Sequence, residues 1–335
     1  MLRLVLALSL TTLGAACGTG QTSEAPGPEA APPTTLAEAE SVPAAPPASN
    51  AEPVVDAEGE VLADTVETET AAAFRRILTD ARAQDVAARP YGEVVQWVGE
   101  QLLGRPYVAG MLDAPETETL VVDLTAFDCV LYVENVLAIA RVIALGEESY
   151  DAYARHVEDM RYREGTMDGY CSRLHYFSEW IADNEARGTV QNVTEAVGGE
   201  PFDKAITFMT EHRESYPKLA VDSTYACVVD MEGRLGDLAL FYVPQDRIAE
   251  AYPMLRPGDV IATATSIGGL DVTHTGFVHQ TDAHTGFMHA SLASNEVKIS
   301  DDLEDYVQGI RSQVGIVVAR PLDPRAASGA PASGS

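Results

Sequence analysis

Between Asp128 and Leu145 the apolar residues Cys129, Val133, Val136, Leu137, Ala140 and Ile143 recur at steps of three and four. That spacing predicts a helix with one buried face. Asp128 is a natural N-cap and Gly146 a natural terminator, so Cys129 falls in the first turn. The spacing from Ala71 to Arg163 is mainly helical, and a second clear helix is predicted from Leu174 to about Glu185, before Gly188. The last quarter has a different rhythm. After the Pro257-Gly258-Asp259 turn come Val260–Thr263, His274–Gln280, Gly286–Leu292 and Gly315–Arg320. Such short β-rich runs, separated by Gly, Asp and Asn, predict an antiparallel sheet. Helices first and strands afterwards argue an α+β fold in a single domain.

The amino terminus follows another pattern. Arg3 precedes an apolar stretch of ten residues, Leu4 to Leu13, the length of a signal-peptide core and too short to span a bilayer. It ends in Leu13-Gly14-Ala15-Ala16-Cys17. The small residues before a cysteine resemble a bacterial lipobox, with residues 1–16 as leader and Cys17 as the lipidation site. Gly14 departs from that pattern, where Leu is commoner, and plain secretion with an incidental Cys17 is the alternative. From Gly18 to Glu69 there is no Lys or Arg, and eight of the nineteen prolines occur there among Ala, Thr and Glu. Such a segment cannot bury enough apolar area to offset its chain entropy, so residues 17–70 are expected to form a disordered tether. The globular domain is expected over 71–325, with a disordered Ala/Ser/Gly-rich tail at 326–335.

Charge narrows the partners. Twenty-two Lys and Arg face 51 Asp and Glu, a formal net charge of -29. Residues 1–74 carry -10 of it, which leaves the folded part itself acidic. An acidic surface repels phosphate backbones and anionic headgroups, which excludes a nucleic-acid binder. Contact with a membrane is expected only through the lipid on Cys17, and no protein partner is evident.

The chemistry lies in the cysteines and histidines. Setting Cys17 aside leaves Cys129, Cys171 and Cys227, an odd number for an oxidising compartment, so one is free or pairs between molecules. Cys129 is the natural odd one out, because a helix N-terminus favours the thiolate. A small buried apolar residue is its alternative reading. Spacing does not decide whether Cys171 and Cys227 pair. His274, His279, His284 and His289 recur at steps of five. Along a strand that step reverses the face, and along a helix it turns by about 140°, so the four do not make a metal cluster. A hairpin centred on Thr281-Asp282 explains them better. It sets His274 directly opposite His289, with His279 opposite His284 on the other face. Gly286 could mark a bulge that shifts this register.

A cysteine at a helix start, followed 145 residues later by Gly-Leu-Asp-Val-Thr-His274-Thr-Gly-Phe-Val and then Phe-Met-His289-Ala-Ser, resembles the NlpC-type, papain-like cell-wall hydrolases. Leu103-Gly104-Arg105-Pro106-Tyr107 and Arg256-Pro257-Gly258-Asp259-Val260 resemble stretches before their nucleophile and base. Phe127-Asp128-Cys129, Met160–Gly165 and Gly169–Phe177 resemble the N-acetylmuramoyl-L-alanine amidase-like branch. Together these motifs cover roughly Gly104 to Pro321. The apolar Val130 and Leu131, where a hydroxyl would be expected, and Cys171 before Ser172 depart from the pattern.

The resemblance implies Cys129 as nucleophile, His274 as general base and His289 as the residue orienting it. It places Tyr107, Asp128, Ser172, Arg173 and His175 in substrate binding. The planar fork of Arg173 suits a lactyl or peptide carboxylate, or equally an ion pair tying a loop. The implied reaction is cleavage of the N-acetylmuramoyl-L-alanine amide in peptidoglycan fragments, including 1,6-anhydro forms, without metal or organic cofactor. The implied location is the periplasmic side of the envelope, on an outer membrane if the cell has one. A γ-D-glutamyl-diamino-acid endopeptidase with the same three residues, or a non-catalytic peptidoglycan-binding lipoprotein, are the alternatives.

Overall fold

The computed structural model describes residues 68–327. The leader, Cys17, nearly all of the 17–70 segment and most of the 326–335 tail lie outside the described residues. The helices are α1 Glu69–Ala83, α2 Tyr91–Glu100, α3 Cys129–Leu145, α4 Tyr150–Arg161, α5 Phe177–Ala186, α6 Phe208–Glu211, α7 Asp222–Leu235, α8 Ile248–Ala251, α9 Leu303–Gln308 and α10 Pro324–Ala327. The strands are β1 Val190–Asn192, β2 Glu200–Pro201, β3 Phe241–Pro244, β4 Val260–Thr265, β5 Val272–Gln280, β6 Thr285–Ser291, β7 Glu296–Ser300 and β8 Gln313–Pro321. They form one sheet in the order β2-β3-β8-β4-β5-β6-β7, with β1 also on β8. Every pairing is antiparallel. Mixed helices and antiparallel sheet make this an α+β fold. Among the described residues, no helix is long and apolar enough to cross a membrane.

Helix α3 begins and ends where its caps dictate. Asp128 is extended (φ -90°, ψ -178°) and its carboxylate accepts from Leu131 N, while Gly146 takes φ 67° to close the far end. The sequence marks one apolar face, but the structure buries most of the helix, including Leu131, Tyr132, Ala138, Ile139 and Val142. It lies between α1, α2 and α4 on one side and β5 and β6 on the other, and a helix covered all round needs no polar stripe. The charge inside is paired: Arg161 Nε donates to Glu134 Oε2 at 2.7 Å, both side chains 1% exposed.

The sheet is covered on both faces. Val260, Ala262, Phe277 and Met288 join the core beneath α1 to α5. Their alternates Ile261, Val278 and Phe287 pack with Ile248, Leu303 and Val307 on the opposite face. A third cluster gathers Tyr176, Met209, Val228, Met231 and Leu235 around α7. Helix α5 starts at Phe177, three residues later than Leu174, because Leu174 N is held by Arg161 O and the chain around it runs extended. Helix α9 and the strands β1, β2, β3 and β7 carry too little periodicity to be read in advance.

Candidate active site

The start of α3 is pinned from outside the helix. Phe127 N donates to Pro106 O at 3.0 Å and Val108 N donates to Phe127 O at 2.9 Å, which brings Tyr107 alongside the Asp128-Cys129 corner. Cys129 is the free cysteine of the described residues and is half-buried. Thr275 Oγ1 donates to Cys129 O at 3.1 Å, tying the first helical turn to β5. The thiol itself faces the backbone N–H groups of Thr275, Cys129 and Val130.

Those donors do not make it a thiolate. Burial, followed by the charge of Asp128, pushes the Cys129 thiol up to about 12. The expectation that the helix N-terminus supplies the thiolate is therefore corrected. A terminus contributes about 0.3–2 kcal/mol to an anion, whereas removing an anion from water costs several kcal/mol. The resting group is a neutral thiol.

The histidine pair is present, in a different register from the one expected. In the β5–β6 hairpin Phe277 faces Met288, Val278 faces Phe287, His279 faces Gly286 and Gln280 faces Thr285. The turn thus occupies Thr281–His284, and the pairing is shifted by two residues from a loop centred on Thr281-Asp282. A two-residue shift keeps every side chain on its face, so His274 and His289 still meet, now diagonally. His274 Nε2 and His289 Nδ1 are 2.7 Å apart, with rings nearly perpendicular at 87°. His289 Nε2 in turn lies 3.1 Å from Ser300 Oγ on β7. His279 and His284 do not oppose each other: His279 bonds Glu100 Oε1 at 3.1 Å, and His284 sits exposed in the turn.

Two backbone features let this pair form. A bulge between Thr263 and Ala264 inserts Thr273 just before His274, and bulges re-aim the side chain that follows. Gly276 provides the clearance, since a Cβ there would lie 2.5 Å from Met288 O and 2.8 Å from His289 Cβ. Burial lowers His274 to about 4. Burial, then His274 and Lys298, lower His289 to about 3. Both rings are neutral at pH 7. With each ring carrying one proton, His274 Nε2–H donates to His289 Nδ1 and His289 Nε2–H donates to Ser300, leaving His274 Nδ1 free to accept.

Tyr306 of α9 is the residue the sequence reading missed. Its ring lies 4.7 Å from that of His289, 6.1 Å from His274 and 4.9 Å from Phe287. Burial first, then the nearby Cys129 charge, push its hydroxyl up to about 12, with Gln313 acting the other way. Tyr107 is pushed up too, by burial and then by Cys129 and Asp128. The two phenols therefore both lie within electrostatic reach of the thiol. Leu303, Tyr306 and Val307 behind Asp302 show helical spacing, but over six residues that signal is slight.

Ser172, Arg173 and His175 lie together in the 169–175 loop, with Arg173 buried and within electrostatic reach of Asp128. Ser172 Oγ accepts from Asp168 N and donates to Gly169 O. Arg173, 4% exposed, donates to Leu112 O at 2.8 Å, pairs with Asp113, lies 3.7 Å from Glu118 and stacks over Tyr170. His175 is bonded to Tyr170 O at 2.8 Å and lowered to about 3, chiefly by burial and then by Arg173. Of the two readings of Arg173, the loop ion pair is the one whose partners, Asp113 and Glu118, are in place. Asp128 spends one carboxylate oxygen on capping. Cys171 and Cys227 form a disulfide with Cα atoms 6.1 Å apart, joining this loop to α7. Among the described residues, no group of three or more His, Cys, Asp or Glu side chains is arranged to hold a metal ion.

Fold and site together define an α+β protein with a thiol at a helix start, tied to the strand that carries one of a hydrogen-bonded pair of imidazoles. The profile of the AmiA-like family, described as N-acetylmuramoyl-L-alanine amidase-like, matches residues 97–316, and the chain belongs to this family. It is similar to the crystal structure of an N-acetylmuramoyl-L-alanine amidase from Bacteroides uniformis, at 32% identity and TM-score 0.65, over 69% of this chain and 99% of that one. It is also similar to a candidate xylanase from Bacteroides fragilis, at 30% identity and TM-score 0.60, over 67% of this chain and 99% of that one. A Legionella pneumophila protein, 18% identical with TM-score 0.56 over 75% of this chain and 94% of that one, shares the fold. A comparison with curated proteins finds no match.

Proposed function

We propose that the chain is a cysteine amidase of the papain-like, NlpC-type kind that cleaves the bond between N-acetylmuramic acid and L-alanine in peptidoglycan fragments. The observation that carries the reading is the 2.7 Å His274–His289 contact beside a helix-start thiol, in a chain of an amidase-like family. Because thiol and imidazole both rest neutral, the proton moves from Sγ to His274 Nδ1 as Sγ attacks the carbonyl carbon, not before. The oxyanion that forms is met by N–H groups at the start of α3. His274 then gives the proton to the departing amine of L-alanine, and water, with His274 as base, releases the muramyl acid from the thioester. His289 and Ser300 hold the His274 ring in the useful tautomer. Tyr107 and Tyr306 flank the thiol, and Arg173 acts by holding the loop of residues 112–118.

The reading extends to place. Export through the leader, anchoring at Cys17 and work on the periplasmic side agree with a Cys171–Cys227 disulfide, since such bonds persist in oxidising compartments. The test incubates the full chain and its Cys129→Ala variant with an anhydro-muramyl tetrapeptide and reads products by mass. Free tetrapeptide from the wild type alone is expected. Cleavage inside the peptide transfers the assignment to an endopeptidase, and activity surviving in Cys129→Ala removes the nucleophile.

A further inference from the structure

Beneath α5 lies a cavity of about 140 Å³ that the mechanism above does not use. Its walls include Ala182, Phe202 and Leu240, together with two carboxylates, Glu185 and Asp271, and the hydroxyl of Ser178. No Lys or Arg is among the residues lining it. Asp271 is 3% exposed. Its carboxylate accepts from Ser178 N and Val272 N, each at 2.8 Å, with no cationic side chain bonded to it. Lys204 feels the charge of Asp271 but is bonded to the carbonyls of Thr265 and Ile267 and not to the carboxylate. The Ser178 hydroxyl is fully buried against the Asp271 carboxylate, which it meets at poor geometry. A buried carboxylate with no cation bonded to it and a poorly satisfied hydroxyl, in an apolar cup, form a site that would take a further cationic donor.

The cavity is placed to serve the thiol. Val272 and Val317 of its wall pack on the same core as α3, the helix that carries Cys129. Three residues of β5 separate Val272 from Thr275, whose N–H meets the Cys129 thiol, a distance of about 10 Å at the rise of a strand. Two residues of extended peptide cover about 7 Å, and a side chain spans the remainder. We propose that this cavity is a specificity subsite for a primary ammonium on an aliphatic chain, such as the side chain of a diamino acid in the substrate's peptide. The methylenes lie against Ala182, Phe202 and Leu240, and the ammonium meets Asp271, Glu185 and Ser178. This inference rests on the amidase reading for the identity of the substrate, not for the existence of the subsite.

The experiment measures binding apart from turnover. The full chain carrying Cys129→Ala is titrated calorimetrically with N-acetylmuramoyl-L-Ala-γ-D-Glu-L-Lys and with the same molecule bearing norleucine, which keeps the methylenes and lacks the amine. Loss of a charged hydrogen-bond partner predicts about tenfold or more weaker binding of the norleucine peptide. In Asp271→Asn that discrimination falls towards unity. Because Asp271 also holds the start of α5, Ala182→Leu, which fills the cavity from a helix surface, and Glu185→Gln are measured beside it, with circular dichroism as the check on folding. Equal binding of the two peptides, absence of binding by both, or discrimination that persists in Ala182→Leu overturns the subsite. Failure of the wild type to cut either peptide, with discrimination intact, overturns the amidase reading and leaves the subsite standing.

Discussion

His289 reaches His274 across a strand pair in which a glycine, Gly276, makes room for its Cβ, so two residues that are not register partners share a hydrogen bond of 2.7 Å. The relay therefore depends on what is missing at residue 276 as much as on the histidines themselves.

Gly276→Ala tests that dependence. The new methyl would sit 2.5 Å from Met288 O and 2.8 Å from His289 Cβ, so the strand or the ring must move. Overpacking of a tight interior costs about 1–3 kcal/mol, and a ring displaced from His274 loses its orienting role. Urea unfolding and turnover are expected to fall together. A variant of wild-type activity would show that His289 does not position His274.

Acid should weaken the fold before neutral pH affects it. His274, His289 and His175 fall to about 4, 3 and 3 in the folded chain, against about 6.5 when unfolded. Between those limits the unfolded state binds more protons, so stability rises with pH through that window and is lost as pH falls from about 6.5 towards 4. Melting temperatures at pH 7.5, 6 and 5 should decrease in that order, and His289→Asn should flatten the slope. On the same grounds, the acid limb of kcat/KM should lie near pH 4, below that of a free imidazole.

Tyr306→Phe and Tyr306→Leu separate hydroxyl from ring. If the ring covers the histidine pair and the hydroxyl serves the thiol, Phe preserves stability but lowers kcat, by about tenfold to a hundredfold for one positioned donor. Leu should in addition move the acid limb upward, because water then reaches His274. A Phe variant with unchanged kcat would limit Tyr306 to packing.

Arg173→Ala should act on stability more than on chemistry. It takes the cation away from half-exposed Asp113 and from Glu118, 4% exposed and left with Tyr162 as its donor, and breaking a fully buried pair, the upper bound here, costs about 3–5 kcal/mol. Arg173→Lys restores charge without the planar fork and should recover only part of the loss. Thermal unfolding decides it. A large rise in KM with an unchanged melting temperature would return Arg173 to substrate binding.

The legible parts of this structure are those written in local signals. Helix α3 could be read because Asp128 and Gly146 mark both ends with side-chain and backbone chemistry. The shared face of His274 and His289 could be read because strand parity survives a slip of two residues. The register could not. It depends on Thr281, whose hydroxyl meets Ala283 N and His284 N and stabilises a four-residue turn. The state of the thiol was missed for a different reason, since helix position is visible in sequence and burial by β5 is not. Tyr306 reaches the site through tertiary packing alone, and Arg173 was ambiguous because its partners Asp113 and Glu118 lie about sixty residues away along the chain.

The bridge between Cys171 and Cys227 has a consequence for biogenesis. Three thiols outside the amino-terminal segment can pair in three ways, and two of those consume Cys129. On the export proposed above, a new chain would meet an oxidant with two dead ends for every productive crosslink. Early burial of α3 would keep Cys129 out of such scrambling, so assembly of the helical layer ahead of the α7 segment would serve yield as well as shape.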